Sequence, residues 1–327
     1  MNKITFFHRH NNIGFSIQKV FGTLISEITK TNYIENYYMP SYRSMPWDIV
    51  INSYYTFKHR NKHGINHVTG HIHDVLLALI GCKCILTVHD LVFIENVKNP
   101  IKRLYKWIFW LYIPSLIADK IVCISAETER KILNRIKTKK TLIIHNPLDP
   151  EFEFVDKEFN EYKPVILHIG TGWNKNLERT IMALRDIPCC LRIIGKIDQK
   201  IISLLTEFNI EFSNVFNLTD KEIREEYVNC DIVNFPSVYE GFGMPIIEGQ
   251  KTGRIVIASK IEPLIEVSGG AVHFVNPSNI ESIRNGYLEI ISNKKYREKL
   301  ILSGLENVKK FSVESISFKY IQLYRSL

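Results

Sequence analysis

Short apolar runs separated by helix-length segments recur along this chain in two sets, and no other feature narrows the possible folds as far. The first set is "KITFFH" (3–8), "WDIVIN" (47–52), "NHVTG" (66–70), "CILTVHD" (84–90), "KIVCIS" (120–125) and "TLIIHN" (141–146). Runs this apolar read as strands covered on both faces, and the segments between them supply the crossovers of a parallel sheet. The pattern stops from Pro147 to Lys163, where "PLDPEFEFVDKEFNEYK" carries prolines and acids without a period, as a linker does. A second set follows: "PVILHIG" (164–170), "CLRIIG" (190–195), "NVFNL" (214–218), "DIVNFPS" (231–237), "RIVIAS" (254–259) and "AVHFV" (271–275), after which the chain from Ser278 on reads as helical. The expected fold is α/β, with two doubly wound parallel-sheet (Rossmann-like) domains in tandem. They span 1–147 and 164–310, with a linker at 148–163 and a terminal helix at 311–327. A length of 327 residues suits two such cores.

Several classes of protein are disfavoured. The first residues, "MNKITFFHRHNN", lack the apolar core and cleavage site of a secretory signal. The most apolar segment, "WIFWLYIPSLIA" (107–118), contains a proline and is shorter than the roughly 20 residues a spanning helix needs. The cysteines at 82, 84, 123, 189, 190 and 230 have neither zinc-ribbon nor redox spacing, and read as reduced core thiols of a cytoplasmic protein. Residues 1–155 hold 20 Lys and Arg against 12 Asp and Glu, and the remainder holds 22 against 22, so the net +8 lies in the first half. That half is expected near something anionic. The excess is modest and comes with no nucleic-acid motif, so nucleic acid is not the expected partner.

In doubly wound sheets ligands bind outside the carboxyl ends of the strands. The stretch "PSVYEGFGMPIIEGQ" (236–250) is such a strand end, with Pro245 suited to the first turn of the helix that follows. Glu240 is expected in the crevice and Glu248 about one turn into the helix. Gly241 and Gly243 let backbone approach a ligand, and the helix amides favour an anion. Donors for a phosphate and carboxylates for hydroxyls together suit a nucleotide sugar.

With its neighbours, this stretch resembles the E-x7-E signature of retaining glycosyltransferases of the family 4 type, the group 1 glycosyl transferases of polysaccharide and O-antigen assembly, which have the GT-B fold. "NHVTGHIHDVLLAL", "ILTVHDLVF", "LHIGTGWNKNLERTIMAL" and the terminal "FSVESISFKYIQLYRSL" are similar to such enzymes as well. The resemblance implies that Glu240 bonds donor-sugar hydroxyls, that backbone after Phe242, at Gly243 and Met244, meets sugar and diphosphate, and that Glu248 binds the ribose. It places Lys175 on the leaving diphosphate and points His89 at the donor sugar, with Asp90 as the local partner of His89. Gly14 falls where the first domain approaches the diphosphate, and the terminal helix is expected to cross back to that domain. Many relatives carry an arginine where this chain has Thr171, so a second phosphate-binding cation is sought at Lys196 or Arg179.

His67, His71, His73 and Asp74 in "HVTGHIHD" fit no common zinc spacing and resemble an acceptor-side loop, and the chain has no D-x-D. No metal or other cofactor is expected. The segment Asn99–Lys120 mixes Lys102, Arg103 and Lys106 with Trp107, Phe109, Trp110 and Tyr112, and reads either as an interfacial helix on anionic lipid or as a core helix. The expected activity is metal-independent retaining transfer of a hexose from a UDP- or GDP-sugar to a saccharide, lipid-linked acceptor in cell-surface polysaccharide or lipopolysaccharide synthesis, by a cytoplasmic protein peripheral to the inner face of the plasma membrane. A non-catalytic sugar-binding partner would bind donor without turnover; an epimerase or hydrolase would consume donor without acceptor.

Overall fold

The computed structural model describes residues 3–11, 15–42 and 46–327. Gly14 lies outside them. The chain divides into two compact units, Met1–Pro147 with Ser312–Leu327, and Leu148–Phe311.

The first unit is built on a six-stranded, fully parallel sheet: β1 (Lys3–His8), β2 (Tyr33–Tyr38), β3 (Ile65–Val68), β4 (Lys83–Val88), β5 (Lys120–Cys123) and β6 (Thr141–Ile143), in the order β2-β1-β3-β4-β5-β6. Chain order reverses between β1 and β3, which opens a crevice at their carboxyl ends. Phe7, Val68, Leu86, Val88 and Cys123 of the strands close over Val75, Leu76 and Leu79 to form the core. The terminal helix Val313–Arg325 belongs here, because the Tyr324 hydroxyl pairs with buried His67 Nδ1 at 2.8 Å.

The second unit repeats the plan with β7 (Val165–Ile169), β8 (Cys190–Ile194), β9 (Glu211–Val215), β10 (Ile232–Phe235), β11 (Ile255–Ser259) and β12 (His273–Val275), in the order β12-β11-β10-β7-β8-β9, again all parallel. Its switch point lies between β7 and β10. Residues 278 onward form the helices Ile280–Ser292, Lys294–Asn307 and Val313–Arg325. All six cysteines are free thiols, and among the described residues no helix is long and apolar enough to cross a membrane.

Three expectations about elements need correction. "WDIVIN" is not a strand; it lies in the helix Pro46–His59, and the strand in that position is "YIENYY", β2. β9 begins at Glu211, three residues before the apolar run "NVFNL". Both misplaced strands are sheet edges, half exposed, so neither needs a continuous apolar run. The stretch 148–163 is irregular, yet it is tied into the second unit: Phe152 is 2% exposed, and the Asp231 carboxylate accepts from Lys157 Nζ and, at 2.8 Å, from the Val165 amide.

Candidate functional site

β7 and β10 are hydrogen-bonded neighbours with Ile166 opposite Ile232, so the loops that leave their carboxyl ends meet. One carries "TGWNKN", the other "SVYEGFG". Lys175 Nζ donates to Glu240 Oε1 at 2.6 Å across 65 residues of sequence, with side chains 23% and 13% exposed. Asn174 Nδ2 donates to the same oxygen at 3.2 Å and to the Tyr239 carbonyl at 3.0 Å, and the Val238 amide donates to the Asn174 carbonyl at 2.8 Å. The lysine ammonium also lies 4.8 Å from the Phe235 ring centre. Asn176 holds the turn in the left-handed conformation (φ 64°) that asparagine tolerates, and its amide donates to the carbonyls of Pro236 and Pro277 at 2.9 and 2.8 Å.

A buried polar network stands beneath this pair. Asn234 Nδ2 on β10 donates to His168 Nδ1 on β7 at 2.8 Å and to the Thr180 hydroxyl at 3.0 Å, while the Tyr287 hydroxyl donates to Asn234 Oδ1 at 2.6 Å. Burial, and then the Lys175 charge, depress the His168 pKa to about 3, so the ring is neutral. Two strands and two helices are thereby locked under the loops.

Glu248 sits on the helix Met244–Thr252, and its Oε2 accepts from the Tyr227 hydroxyl at 2.5 Å. Tyr227 is fully buried, edge-on to Phe152 at 5.3 Å. Burial and then the Glu248 charge hold its phenol well above the usual pKa, so it remains a donor. Gly243 caps the helix at φ 127°, and a Cβ there would stand 2.7 Å from Leu264 Cδ2. Phe242 is 4% exposed and packs edge-on to Phe311 at 5.9 Å, so that its ring is core and its backbone leads the chain from Gly241 into the helix at Met244.

The remaining candidates of the second unit have other partners. The Thr171 hydroxyl donates to the Lys196 carbonyl at 2.7 Å, while the Lys196 ammonium lies 5.5 Å from the Phe216 ring and Arg179 donates to Asn176 Oδ1 at 2.9 Å. These contacts carry both proposed second cations to other partners than Glu240. Asn174 and Tyr227 were missed in the sequence. Asn174 could have been found from its place beside Lys175, whereas nothing near Tyr227 marks it.

In the first unit, His89 directly follows β4 and is 6% exposed. Its Nε2 lies 2.9 Å from the Thr69 carbonyl, which can only accept, so Nε2 carries the hydrogen and Nδ1 the lone pair. Burial first, and then His71, lower its pKa to about 4. A Cβ at Gly70 (φ 115°) would come within 2.6 Å of the ring, which is why the residue before His71 is glycine. Asp90 is not the ring partner of His89. Its carboxylate accepts from the Val92 amide at 3.0 Å and faces His71 Nε2 at 3.6 Å; burial works to raise its pKa, and the His71 and amide contacts outweigh it. The histidines of "HVTGHIHD" are spent separately: His67 between Tyr324 and Thr87, and His73 on the Trp110 carbonyl at 2.6 Å. Among the described residues no group of three or more His, Cys, Asp or Glu is placed to hold a metal ion. Asp74 is buried, which raises its pKa to about 6.

The segment Asn99–Lys120 forms the helix Pro100–Trp107, a widened turn Ile108–Tyr112 and the helix Ile113–Ile117. Its indoles face the protein: Trp110 is 6% exposed and Trp107 packs on the core, with Lys106 Nζ 3.4 Å from the Trp110 ring centre.

The pattern of "Glycosyltransferase Family 4" matches residues 29–152, and that of "Glycosyl transferases group 1" matches residues 149–306. An uncharacterized glycosyltransferase of Methanocaldococcus jannaschii is 27% identical over 236 residues, 70% of this chain and 65% of that protein. The serotype-specific mannosyltransferase WbdA of Escherichia coli is 25% identical over 221 residues, 60% of this chain and 27% of that protein. The chain therefore spans less than two thirds of the length of these relatives. Among solved structures, HepE of Anabaena, determined with UDP and glucose, superposes with a TM-score of 0.80 at 13% identity, covering 100% of both chains. With both halves matched in order and two parallel six-stranded sheets in place, the chain belongs to the family 4, group 1 glycosyltransferases and has their GT-B architecture.

Proposed function

We propose that this chain is a retaining glycosyltransferase that moves a hexose from a UDP- or GDP-linked sugar to a saccharide acceptor, carried on a lipid, in O-antigen or lipopolysaccharide-type synthesis at the cytoplasmic face of the membrane. The observation that carries the reading is the contact of Lys175 with Glu240 at the β7/β10 switch point, beside the amino end of the helix Met244–Thr252. A cation and helix amides suit a diphosphate, and carboxylates suit hydroxyls. The names of the E. coli mannosyltransferase and of the UDP-bound Anabaena structure support transfer of a hexose from a nucleotide-sugar donor.

On this reading Glu240 accepts from hydroxyls of the donor sugar, and Lys175 turns from it toward the diphosphate. Glu248, aimed by Tyr227, accepts from the ribose hydroxyls. As the bond from the anomeric carbon to the diphosphate oxygen breaks, the acceptor oxygen bonds to the same face of that carbon. Its proton passes to the departing diphosphate. Lys175 and the amides at Gly243 and Met244 stabilise the charge that develops there. In the first unit the neutral ring of His89 can offer a hydroxyl its Nδ1 lone pair. On this reading no metal ion is required, since Lys175 and the helix amides hold the diphosphate.

The test is a panel of UDP-, GDP- and ADP-sugars with lipid-linked saccharide acceptors, run with and without excess EDTA. One donor should be consumed only when acceptor is present, should give an axial or equatorial linkage that matches the donor anomer, and should be consumed at the same rate in EDTA. Donor loss without acceptor, inversion at the anomeric carbon, or activity restored by manganese would each overturn the corresponding part. Binding without turnover would favour a sugar-binding partner.

A further inference from the structure

The helix Pro46–His59 is inverted for a surface helix. It buries Asn52 (5% exposed) and Thr56 (0%), while Trp47 (79%), Val50 (57%), Ile51 (49%), Tyr54 (59%) and Phe57 (51%) stand exposed. Steps of three and four residues put these five on one stripe. The polar side is used to hold the chain that leaves β2. Asn52 exchanges hydrogen bonds with the Ser41 backbone at 3.1 and 3.2 Å, the Ser41 hydroxyl donates to Asp48, and the Thr56 hydroxyl reaches Met39 Sδ at 3.7 Å. Packing thus accounts for the polar side and leaves the apolar side uncovered, the opposite of what burial alone would select.

Cations lie against this stripe. Lys58 Nζ is 4.7 Å from the Tyr54 ring centre and the Arg60 guanidinium carbon 3.3 Å from that of Phe57, with Lys62 following. The helix carries one acid, Asp48, and that acid is engaged by Ser41. The helix Ile113–Ile117 packs against the same turn, His73–Leu79, as the helix Pro46–His59, so the two share a side of the sheet. Its segment adds Leu104 (56% exposed), Tyr112 (41%) and Leu116 (60%), with Lys102 and Arg103 also exposed. Indole and phenol rings interleaved with lysine and arginine suit the boundary of a bilayer, where the rings enter the acyl margin and the cations meet phosphates.

We infer that the helix Pro46–His59 docks the first unit on a lipid surface with anionic headgroups, Trp47, Val50, Ile51 and Tyr54 entering the boundary and Lys58 and Arg60 pairing with the headgroups. The inference concerns adhesion and does not rest on the transferase reading. The aromatic contact with lipid is thereby assigned to this helix and not to Trp107 and Trp110, whose rings face the protein.

The experiment is flotation of the full chain with phosphatidylcholine vesicles, with and without about 30% phosphatidylglycerol, at low and high salt. The expected result is flotation with the anionic vesicles that high salt weakens. The double variant Val50→Ser/Ile51→Ser should lose about tenfold in binding with an unchanged melting temperature, because both side chains are exposed. Lys58→Gln/Arg60→Gln should lose binding to anionic vesicles and most of its salt dependence. Trp47→Gln provides a second apolar variant if the double variant fails to fold. The inference is overturned if the wild-type chain ignores anionic vesicles, if the apolar variants float as well as wild type, or if light scattering shows a lipid-free dimer that those variants dissociate, since a second copy would then cover the stripe.

Discussion

At the switch point of the second sheet an ammonium meets a carboxylate, Lys175 on Glu240 at 2.6 Å. At the strand ends of the first sheet the converging groups are imidazoles: Thr69 Oγ1 lies 3.2 Å from His8 Nδ1, the Thr69 carbonyl 2.9 Å from His89 Nε2, and the rings of His71 and His89 stack at 6.1 Å. Burial without a countercharge penalises any charge, and histidine answers by remaining neutral. Lysine and glutamate cannot do so cheaply, and in the second crevice they stay partly exposed and paired. One strand-end crevice therefore presents a lysine–glutamate pair, and the other presents neutral imidazoles beside the Asp90 carboxylate.

Acid should break this comparison most widely. Burial holds His8 and His89 at about 4 and His67 and His73 at about 3, all in the first unit, against His168 at about 3 and a lowered His273 in the second. Their folded values lie below the unfolded 6.5, so the unfolded chain binds more protons in between. Stability is complete above about pH 6.5 and is lost as pH falls toward 4, at about 1–2 kcal/mol for each such histidine by pH 5. Hydrogen-exchange protection at pH 7 and pH 5 should drop further in β1, β3 and β4 than in β7 and β10. Equal losses in both units would show that the histidines do not set the difference.

The next largest effect is expected at Glu240. Glu240→Gln removes the charge that faces Lys175, and on the proposed role of Glu240 at the sugar hydroxyls, whose contacts change as the ring flattens, should lower kcat about 100-fold while donor KM changes little. Steady-state kinetics with the donor varied decide this. A KM effect with kcat intact would make the pair a binding device only.

The smallest effects sharpen the role of the second carboxylate. Glu248→Gln should raise donor KM by the equivalent of about 1–3 kcal/mol, and Tyr227→Phe, which keeps the ring on Phe152 and removes only the hydroxyl, by about 1 kcal/mol. Both should spare kcat. A Tyr227→Phe chain with an altered melting temperature and an unaltered KM would place the Tyr227–Glu248 bond in folding and not in donor binding.

Legibility in the sequence followed burial. Interior strands such as "PVILHIG" and "RIVIAS" are covered on both faces and declare themselves as apolar runs. The edges β2 and β9 have one neighbour and an open side, so "YIENYY" and "EFSNV" do not. "WDIVIN" misled for the converse reason: its apolar residues are real, but Trp47, Val50 and Ile51 face outward on a helix. The glycine and proline frame around Glu240 and Glu248 was legible because backbone geometry restricts which residues can stand there, as Gly243 at φ 127° shows.

By itself the sequence determined the two parallel sheets, the loops that close their strands and the candidate carboxylates, since each depends on local pattern and on which residues a backbone conformation admits. The tertiary structure decided which groups meet: Lys175 with Glu240 across 65 residues, Glu248 with Tyr227 across 21, and His67 with Tyr324 across 257. It also decided that Asp90 faces His71 and that Phe152 belongs to the second core. The physical reason is that side-chain pairing depends on sheet order and on the crossing of helices, and neither quantity is written in the spacing of residues along the chain.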